Sequence, residues 1–194
     1  MTSPLSTSWV LILVWLALYF LDNYLTVYVT GLYERQDPKV IHFEGGYELT
    51  PQYKDEINRL KLFGPRFIRS ALITTLFLSL VWFIVNQGLT YPVIYSVAMG
   101  ALILLALVVN LRHIQNITFF KSNGDTERPQ GEIFYPHTMI YRGSAIAFMA
   151  HAGFFLLLAL LDGSWFFIGG SLSCAAMAIY HYRLSGSKPE LVNE

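Results

Sequence analysis

Five long apolar runs limit what this chain can fold into more than any other feature. Each run holds about 20 residues, the length that a helix needs to cross a hydrocarbon layer roughly 30 Å thick. The runs lie at residues 9–30, 67–86, 91–111, 139–161 and 164–182. The chain is 54% hydrophobic and only 13% charged, whereas a soluble domain carries about 25% charged residues. The sequence therefore predicts an all-α, polytopic integral membrane protein with five transmembrane helices in a single helical-bundle domain, residues 1–194.

The positions of the basic residues predict the orientation of this bundle. All 13 Lys and Arg residues lie in or next to the segments 31–66 and 112–138, or in the C-terminal tail. The N-terminus and the two remaining turns carry none. Because cytoplasmic loops retain Lys and Arg and short translocated loops lack them, we expect the N-terminus outside and the C-terminus in the cytoplasm. The first run is too long for a secretory signal peptide, so we expect it to remain as an anchor.

The segment after the first run contains a predicted short helix. Thr50 can cap it, Pro51 suits its first position, and acidic residues near its start and basic residues near its end fit the helix dipole. We predict an amphipathic helix over about 51–62 that lies at the cytoplasmic interface. Residues 121–136 are polar and contain Gly, Pro and Asn, so we predict a loop there.

A polar stripe interrupts the first apolar run. It follows steps of three and four residues and consists of Tyr19, Asp22, Asn23, Thr26 and Thr30. Such a stripe faces protein and not lipid. An ionised Asp at the centre of a span costs about 2.5 to 3.5 kcal/mol, so we expect Asp22 to have a partner. Arg69 and Arg142 are the expected partners if the stripe only fixes helix register.

The other predicted helices bring polar side chains to the depth of Asp22. We expect one polar layer at the cytoplasmic leaflet, and we predict a ligand-binding set of Asp22, Asn23, Thr26, Glu48, Arg69, Asn110, Arg112, His113, Tyr141, Arg142 and His181. Arginine and histidine open to the cytoplasm suit an anionic headgroup, a carboxylate or a proton relay. The alternative is a buried ion-pair and hydrogen-bond network without a ligand.

Small residues predict how the last two helices pack. Gly143, Ala147 and Ala150 lie in the fourth run, and Gly169 and Gly170 lie in the fifth, where they allow close approach of the backbones. We predict an antiparallel pair of fourth and fifth helices docked on the first. Their polar stripes are expected to face each other and consist of His137, Tyr141, Ser144, Phe148 and His151 in the fourth and Ser171, Cys174, Met177 and His181 in the fifth.

Signals for catalysis are sparse. His42, Glu44 and Glu48 could provide metal ligands together with Asp22, and a bound metal could activate water. The Gly-x-Ser-x-Gly pattern of serine hydrolases is absent, and the sequence pairs no intramembrane serine with a histidine. The lone cysteine gives no disulfide and no cysteine-type zinc site. The zero net charge favours no nucleic-acid partner.

One local pattern resembles a known group. Asp22-x-x-x-Thr26 late in the first span, followed by Glu48-Leu-Thr-Pro51, resembles the Asp-x-x-x-Thr and Glu-x-Asn-Pro pattern of small uncharacterised bacterial and archaeal membrane proteins. The chain has Thr50 where that pattern has Asn. The resemblance implies no activity, but it implies that Asp22, Thr26 and Glu48 act together near the cytoplasmic interface.

The function predicted from these observations is binding or assembly in a membrane, without turnover. The alternatives are an intramembrane metal-dependent hydrolase that uses Asp22, His42, Glu44 and Glu48, and a small proton-linked transporter or channel. The sequence assigns no catalytic residue and no cofactor. We expect the lipid bilayer as a partner, with other membrane subunits as further partners, and a prokaryotic plasma (inner) membrane as the location.

Overall fold

A computed structural model describes residues 9–35, 41–43, 57, 60–88, 91–125 and 133–186. These residues form five helices and one short two-stranded sheet, so the all-α class is confirmed. The elements are α1 (Val10–Arg35), β1 (Ile41–Phe43), α2 (Pro65–Asn86), α3 (Pro92–Asp125), β2 (Ile133–Tyr135), α4 (His137–Asp162) and α5 (Trp165–Ser185).

Four of the five helices are long and apolar enough to cross a membrane. They are α1, α2, α4 and the Pro92–Lys121 part of α3. Helix α5 forms where the fifth span was predicted, but it is not among these four. Its mean hydropathy is lowered by the Gly169-Gly170-Ser171 stretch and by His181 and Arg183 in its last turns.

Helix α3 is longer than the sequence predicted. The predicted span ended at residue 111, but the helix continues to Asp125 and has 34 residues, about 50 Å at 1.5 Å per residue. No Gly or Pro interrupts residues 112–121, and Ile117 and Phe120 keep an apolar spacing of three. Phe120 packs with the buried Val29 of α1 in a small core. The predicted loop over 121–136 is therefore wrong at both ends, since residues 121–125 are helical and 133–135 form β2.

Proline and glycine set several helix ends. Helix α2 begins at Pro65 and α3 at Pro92, and α4 follows Pro136. Proline suits a first turn because it has no N–H and its φ angle is already helical. Gly163 closes α4 in the left-handed conformation (φ 65°), and its N–H donates to the Ala159 carbonyl at 2.8 Å. This tight ending allows α5 to turn back along α4.

The two short strands join segments that are distant in sequence. Strand β1 follows α1, β2 precedes α4, and the strands pair in parallel with Ile41 opposite Ile133. Most of the predicted interfacial helix over 51–62 lies outside the described residues. Ile57 is helical and buried, and Leu60 already has a left-handed φ of 51°. A helix there has therefore ended by Leu60.

The helices pack in an order that differs from the prediction. The antiparallel α4/α5 pair is confirmed, but it docks on α3 through α5, and α3 in turn packs on α1. A Cβ atom at Gly169 would overlap the Val97 carbonyl, and one at Gly100 would overlap the Phe166 carbonyl. The α5 glycines therefore serve the contact with α3, whereas a Cβ at Gly143 of α4 would meet nothing within 4 Å.

Helix α2 begins beside the middle of α1. Phe67 stacks on Tyr19 with ring centroids 4.7 Å apart, and Phe63 lies 5.9 Å from Phe20. The Asn23 side chain donates to the Leu62 carbonyl. Helix α1 thus continues about 18 Å past the start of α2, since twelve residues separate Asn23 from its end.

Candidate functional site

Asp22 lies in a polar contact between α1 and α3. Its Oδ1 is 3.2 Å from His113 Nε2, and the same nitrogen is 3.0 Å from Thr26 Oγ1. The Thr26 hydroxyl donates its proton to the Asp22 main-chain carbonyl at 2.8 Å. The hydroxyl can then only accept from the histidine, so His113 Nε2 carries a proton. We call Asp22, Thr26, Asn110 and His113 the α1/α3 cluster.

The side chain that contacts Asp22 differs from the ones expected. The structure brings His113 to Asp22, whereas Arg69 and Arg142 have exposed side chains. The reason is the length of α3. Because the helix continues past residue 111, His113 stays on the face of α3 that packs against α1.

Asn110 provides the second polar link in this contact. Its Nδ2 donates to the Ala106 carbonyl at 2.7 Å within α3 and to the Leu18 carbonyl of α1 at 3.2 Å. The residue is only 3% exposed. Both Asn110 Oδ1 and Asp22 Oδ1 are buried; among the described residues Asn110 Oδ1 has no hydrogen-bond partner, and Asp22 Oδ1 has the 3.2 Å contact with His113 Nε2. One buried acceptor in this contact, the Asn110 amide oxygen, therefore lacks a donor within the described part of the chain.

A second polar group lies between α4 and α5. His181 Nδ1 is 2.7 Å from Ser144 Oγ, and both residues are buried. The His181 ring meets Tyr141 and Phe148 edge to face, with centroids 5.5 and 5.4 Å away. The Arg112 side chain of α3 lies over the Phe148 ring, with its Cζ 4.8 Å from the ring centroid. We call these five residues the α4/α5 cluster.

The predicted stripes of α4 and α5 do face each other. Besides the Ser144 contact with His181, the Ser171 hydroxyl of α5 donates to the Ala152 carbonyl of α4 at 2.9 Å. Sequence reasoning paired no serine with a histidine, and the structure pairs Ser144 with His181. The spacing of Tyr141, Ser144 and Phe148 placed Ser144 on the right face, but nothing local identified its partner.

The two clusters share one level of the bundle. Arg112 and His113 are neighbours on α3, yet Arg112 reaches the α4/α5 cluster and His113 reaches α1. Asn23, beside Asp22, holds the Leu62 carbonyl just before α2 begins. The level of both clusters is therefore also the level at which α2 starts.

Exposed basic side chains surround this level. They belong to α2 and the segment before it, to α4 and to α5, and are Lys61, Arg66, Arg69, Arg142 and Arg183. Exposed apolar side chains lie beside them, with Ile68 next to Arg69 and Tyr182 next to Arg183. A surface of this kind combines positive charge with an apolar border.

The predicted metal ligands remain untested. Glu44 and Glu48 lie outside the described residues, and for His42 only the backbone within β1 is described. Within the described part of the chain, no group of three or more His, Cys, Asp or Glu side chains could hold a metal ion. The metal-dependent alternative and the action of Glu48 with Asp22 stay predictions.

Comparison with protein-family models, with curated proteins and with solved structures gives no match.

Proposed function

We propose that this protein is a membrane-embedded helical bundle with a binding or assembly role, and that its polar level lies at a membrane interface and holds anionic lipid headgroups. The observation that carries the proposal is the shared level of three features: the two polar clusters, the start of α2, and the exposed basic residues. A span that begins at Pro65 has its first turn at the membrane boundary, so side chains at that level meet headgroups.

The apolar surface on one side of this level supports contact with lipid. Exposed side chains on α2 include Leu72, Ile73, Leu76 and Phe77, each more than half exposed. Contiguous apolar surface of this kind is costly in water and is favourable against acyl chains. Beyond the level, α1 and α3 continue together for about 18 Å, a length that suits the headgroup region and the aqueous phase.

The basic side chains supply the specificity for anionic lipids. Arginine forms paired hydrogen bonds with phosphate oxygens, and each basic residue near an anionic membrane surface contributes about 1 kcal/mol. Three exposed arginines come from three different helices: Arg69, Arg142 and Arg183. Such an arrangement attracts headgroups around the bundle and does not depend on one helix face.

The test is native mass spectrometry of the purified chain with mixed phosphatidylglycerol and phosphatidylcholine. We expect wild type to retain phosphatidylglycerol, and the triple variant Arg69→Gln, Arg142→Gln, Arg183→Gln to retain it roughly 100-fold more weakly, which corresponds to about 3 kcal/mol. Arg35→Gln is the matched control, because Arg35 is an exposed basic residue at the far end of α1. Equal retention by all three proteins, or retention of both lipids alike, contradicts the proposal.

The orientation belongs to the same proposal. We propose five spans in a prokaryotic plasma membrane, with α5 as the fifth, the N-terminus outside, and the polar level at the cytoplasmic leaflet. The absence of Lys and Arg from the turns after α2 and α4 supports this orientation. The glycine contact of α5 with α3 supports its place inside the bundle, because small residues commonly join membrane helices.

Cysteine labelling in whole cells tests the orientation. Gln87→Cys, in the exposed turn after α2, should react with a membrane-impermeant maleimide, and Arg35→Cys should react only after the cells are opened. The native Cys174 is buried, so the parent chain serves as the unlabelled control. Labelling of Arg35→Cys in intact cells together with protection of Gln87→Cys contradicts the orientation.

A further inference from the structure

The α4/α5 cluster contains one cation that differs from the exposed arginines of the proposed function. Arg112 of α3 is half-buried, and its Cζ lies 4.8 Å from the Phe148 ring centroid of α4. We propose that Arg112 binds the phosphate group of one anion, at a specific site where α3 meets α4 and α5. This site deepens the proposed function and rests on its placement of the polar level at the membrane interface.

The packing of the helices places Arg112 between two main chains. Helices α3 and α4 both pack on α5 rather than on each other, so their main chains stay apart and the Arg112 side chain crosses from one to the other. Phe148 is only 1% exposed and packs in the core with Ala152 and Cys174. The ring that Arg112 contacts therefore has a fixed position.

This contact prepares the guanidinium for a phosphate. A guanidinium has five N–H donors in a planar fork that matches phosphate oxygens, and an aromatic ring can cover its face while the donors at its edges bind other groups. Arg112 is already restricted by Phe148, whereas the side chain of Arg69 is exposed. A restricted side chain loses less conformational entropy when it binds, so Arg112 is the better site for one tightly held anion.

The charge balance of the three helices favours an anion at this level. Helix α5 contains no Asp or Glu. The one carboxylate of α4, Asp162, lies fourteen residues after Phe148, about 21 Å along the helix. The one carboxylate of α3, Asp125, lies thirteen residues after Arg112, about 20 Å away. Positive charge on these helices is therefore not balanced by their own carboxylates near the cluster, which makes the surface complementary to an anion.

The buried surroundings of Arg112 distinguish it from the exposed arginines in salt. Tyr141, Ser144 and His181 of the same cluster are buried. Salt screens interactions between exposed charges strongly and those of partly buried charges much less. An anion at Arg112 should therefore remain bound at a salt concentration that removes lipid from the exposed arginines.

The test is native mass spectrometry of the full chain in detergent, after incubation with phosphatidylglycerol and a wash at high salt. We expect wild type to retain one phosphatidylglycerol per chain, and the triple variant Arg69→Gln, Arg142→Gln, Arg183→Gln to retain it as well. Arg112→Gln should bind it roughly 10- to 100-fold more weakly, the range for loss of a charge-assisted hydrogen bond. Inorganic phosphate in place of the lipid identifies the source: retained phosphate assigns a soluble anion, and retention of the lipid alone assigns a headgroup.

Two further variants separate binding from folding. Arg112→Lys keeps the charge without the planar fork, so it should fold as wild type does and bind the anion with intermediate strength. Arg35→Gln removes an exposed arginine at the end of α1 and should bind as wild type does. Equal retention by wild type, Arg112→Lys and Arg112→Gln overturns the site, as does a wild type that retains no anion at high salt. Retention at low salt that depends on the exposed arginines would still support the proposed function.

Discussion

The two main contacts of α3 solve the problem of helix association in different ways. Toward α5, Gly100 and Gly169 bring main chains so close that no Cβ fits between them. Toward α1, Asn110 and His113 reach across with polar side chains to Leu18, Asp22 and Thr26. The first contact depends on the absence of side chains, and the second depends on their chemistry.

This difference shows where the fold can tolerate polar function. A contact of main chain on main chain has no room for a ligand, and close packing gives it stability. The α1/α3 contact is held by side-chain hydrogen bonds and the Asp22–His113 contact, and it leaves the Asn110 amide oxygen without a partner among the described residues.

The largest effect is expected from adding a methyl group at the glycine contact between α3 and α5. Gly169→Ala should lower the free energy of unfolding by about 3 kcal/mol, because the new Cβ overlaps the Val97 carbonyl and the main chain must move. Gly143→Ala on α4 is the control, since its Cβ meets nothing within 4 Å. Thermal unfolding in detergent measures the stability of both variants. Equal melting temperatures would mean that the close glycine contact does not stabilise the fold.

The polar contact between α1 and α3 should stabilise the fold less than the glycine contact between α3 and α5. Asn110→Ala removes the interhelical hydrogen bond to Leu18 and should lower the free energy of unfolding by about 1.5 kcal/mol. Gln115→Ala, an exposed residue one and a half turns further along α3, should change it little. A loss at Asn110 as large as that at Gly169 would mean that the two contacts do not differ in the way described.

The hydrogen bond between Ser144 and His181 in the α4/α5 cluster should contribute less to the free energy of unfolding than the Asn110 contact does. Ser144→Ala leaves His181 Nδ1 without its 2.7 Å partner and should cost about 1 kcal/mol. Ser173→Ala is the matched control, because its hydroxyl donates within its own helix to the Gly170 carbonyl at 3.0 Å. Chemical or thermal unfolding of both variants gives the comparison. An unchanged Ser144→Ala protein would show that the hydrogen bond is not made in solution.

The smallest effect is expected from the arginines that the sequence offered as partners of Asp22. Arg69→Gln and Arg142→Gln should each change the free energy of unfolding in detergent by no more than about 0.5 kcal/mol, because both side chains are exposed. Asp22→Ala should destabilise more, through its contact with His113. If either arginine variant matched Asp22→Ala and the two effects failed to add, the pairing with His113 would be wrong.

Sequence reasoning identified several parts of this site before their partners were known. The stripe through Asp22 and Thr26 does face α3, and Asn110 and His113 belonged to the expected layer. The expected pairing of Asp22 with Arg69 or Arg142 was the weaker part of the prediction. A long basic side chain can pair or remain exposed at the same sequence position, and only its neighbours decide.

The sequence by itself determined the class of the protein and the places of its helices. Apolar runs of spanning length and prolines at the starts of α2 and α3 are local signals, because hydropathy and main-chain geometry act within a few residues. Only the tertiary structure decided that α5 packs on α3, that α3 continues to Asp125, and that Asp22 meets His113. These features depend on which distant surfaces fit together, and complementary shape and hydrogen bonding between segments leave no periodic trace in either one alone.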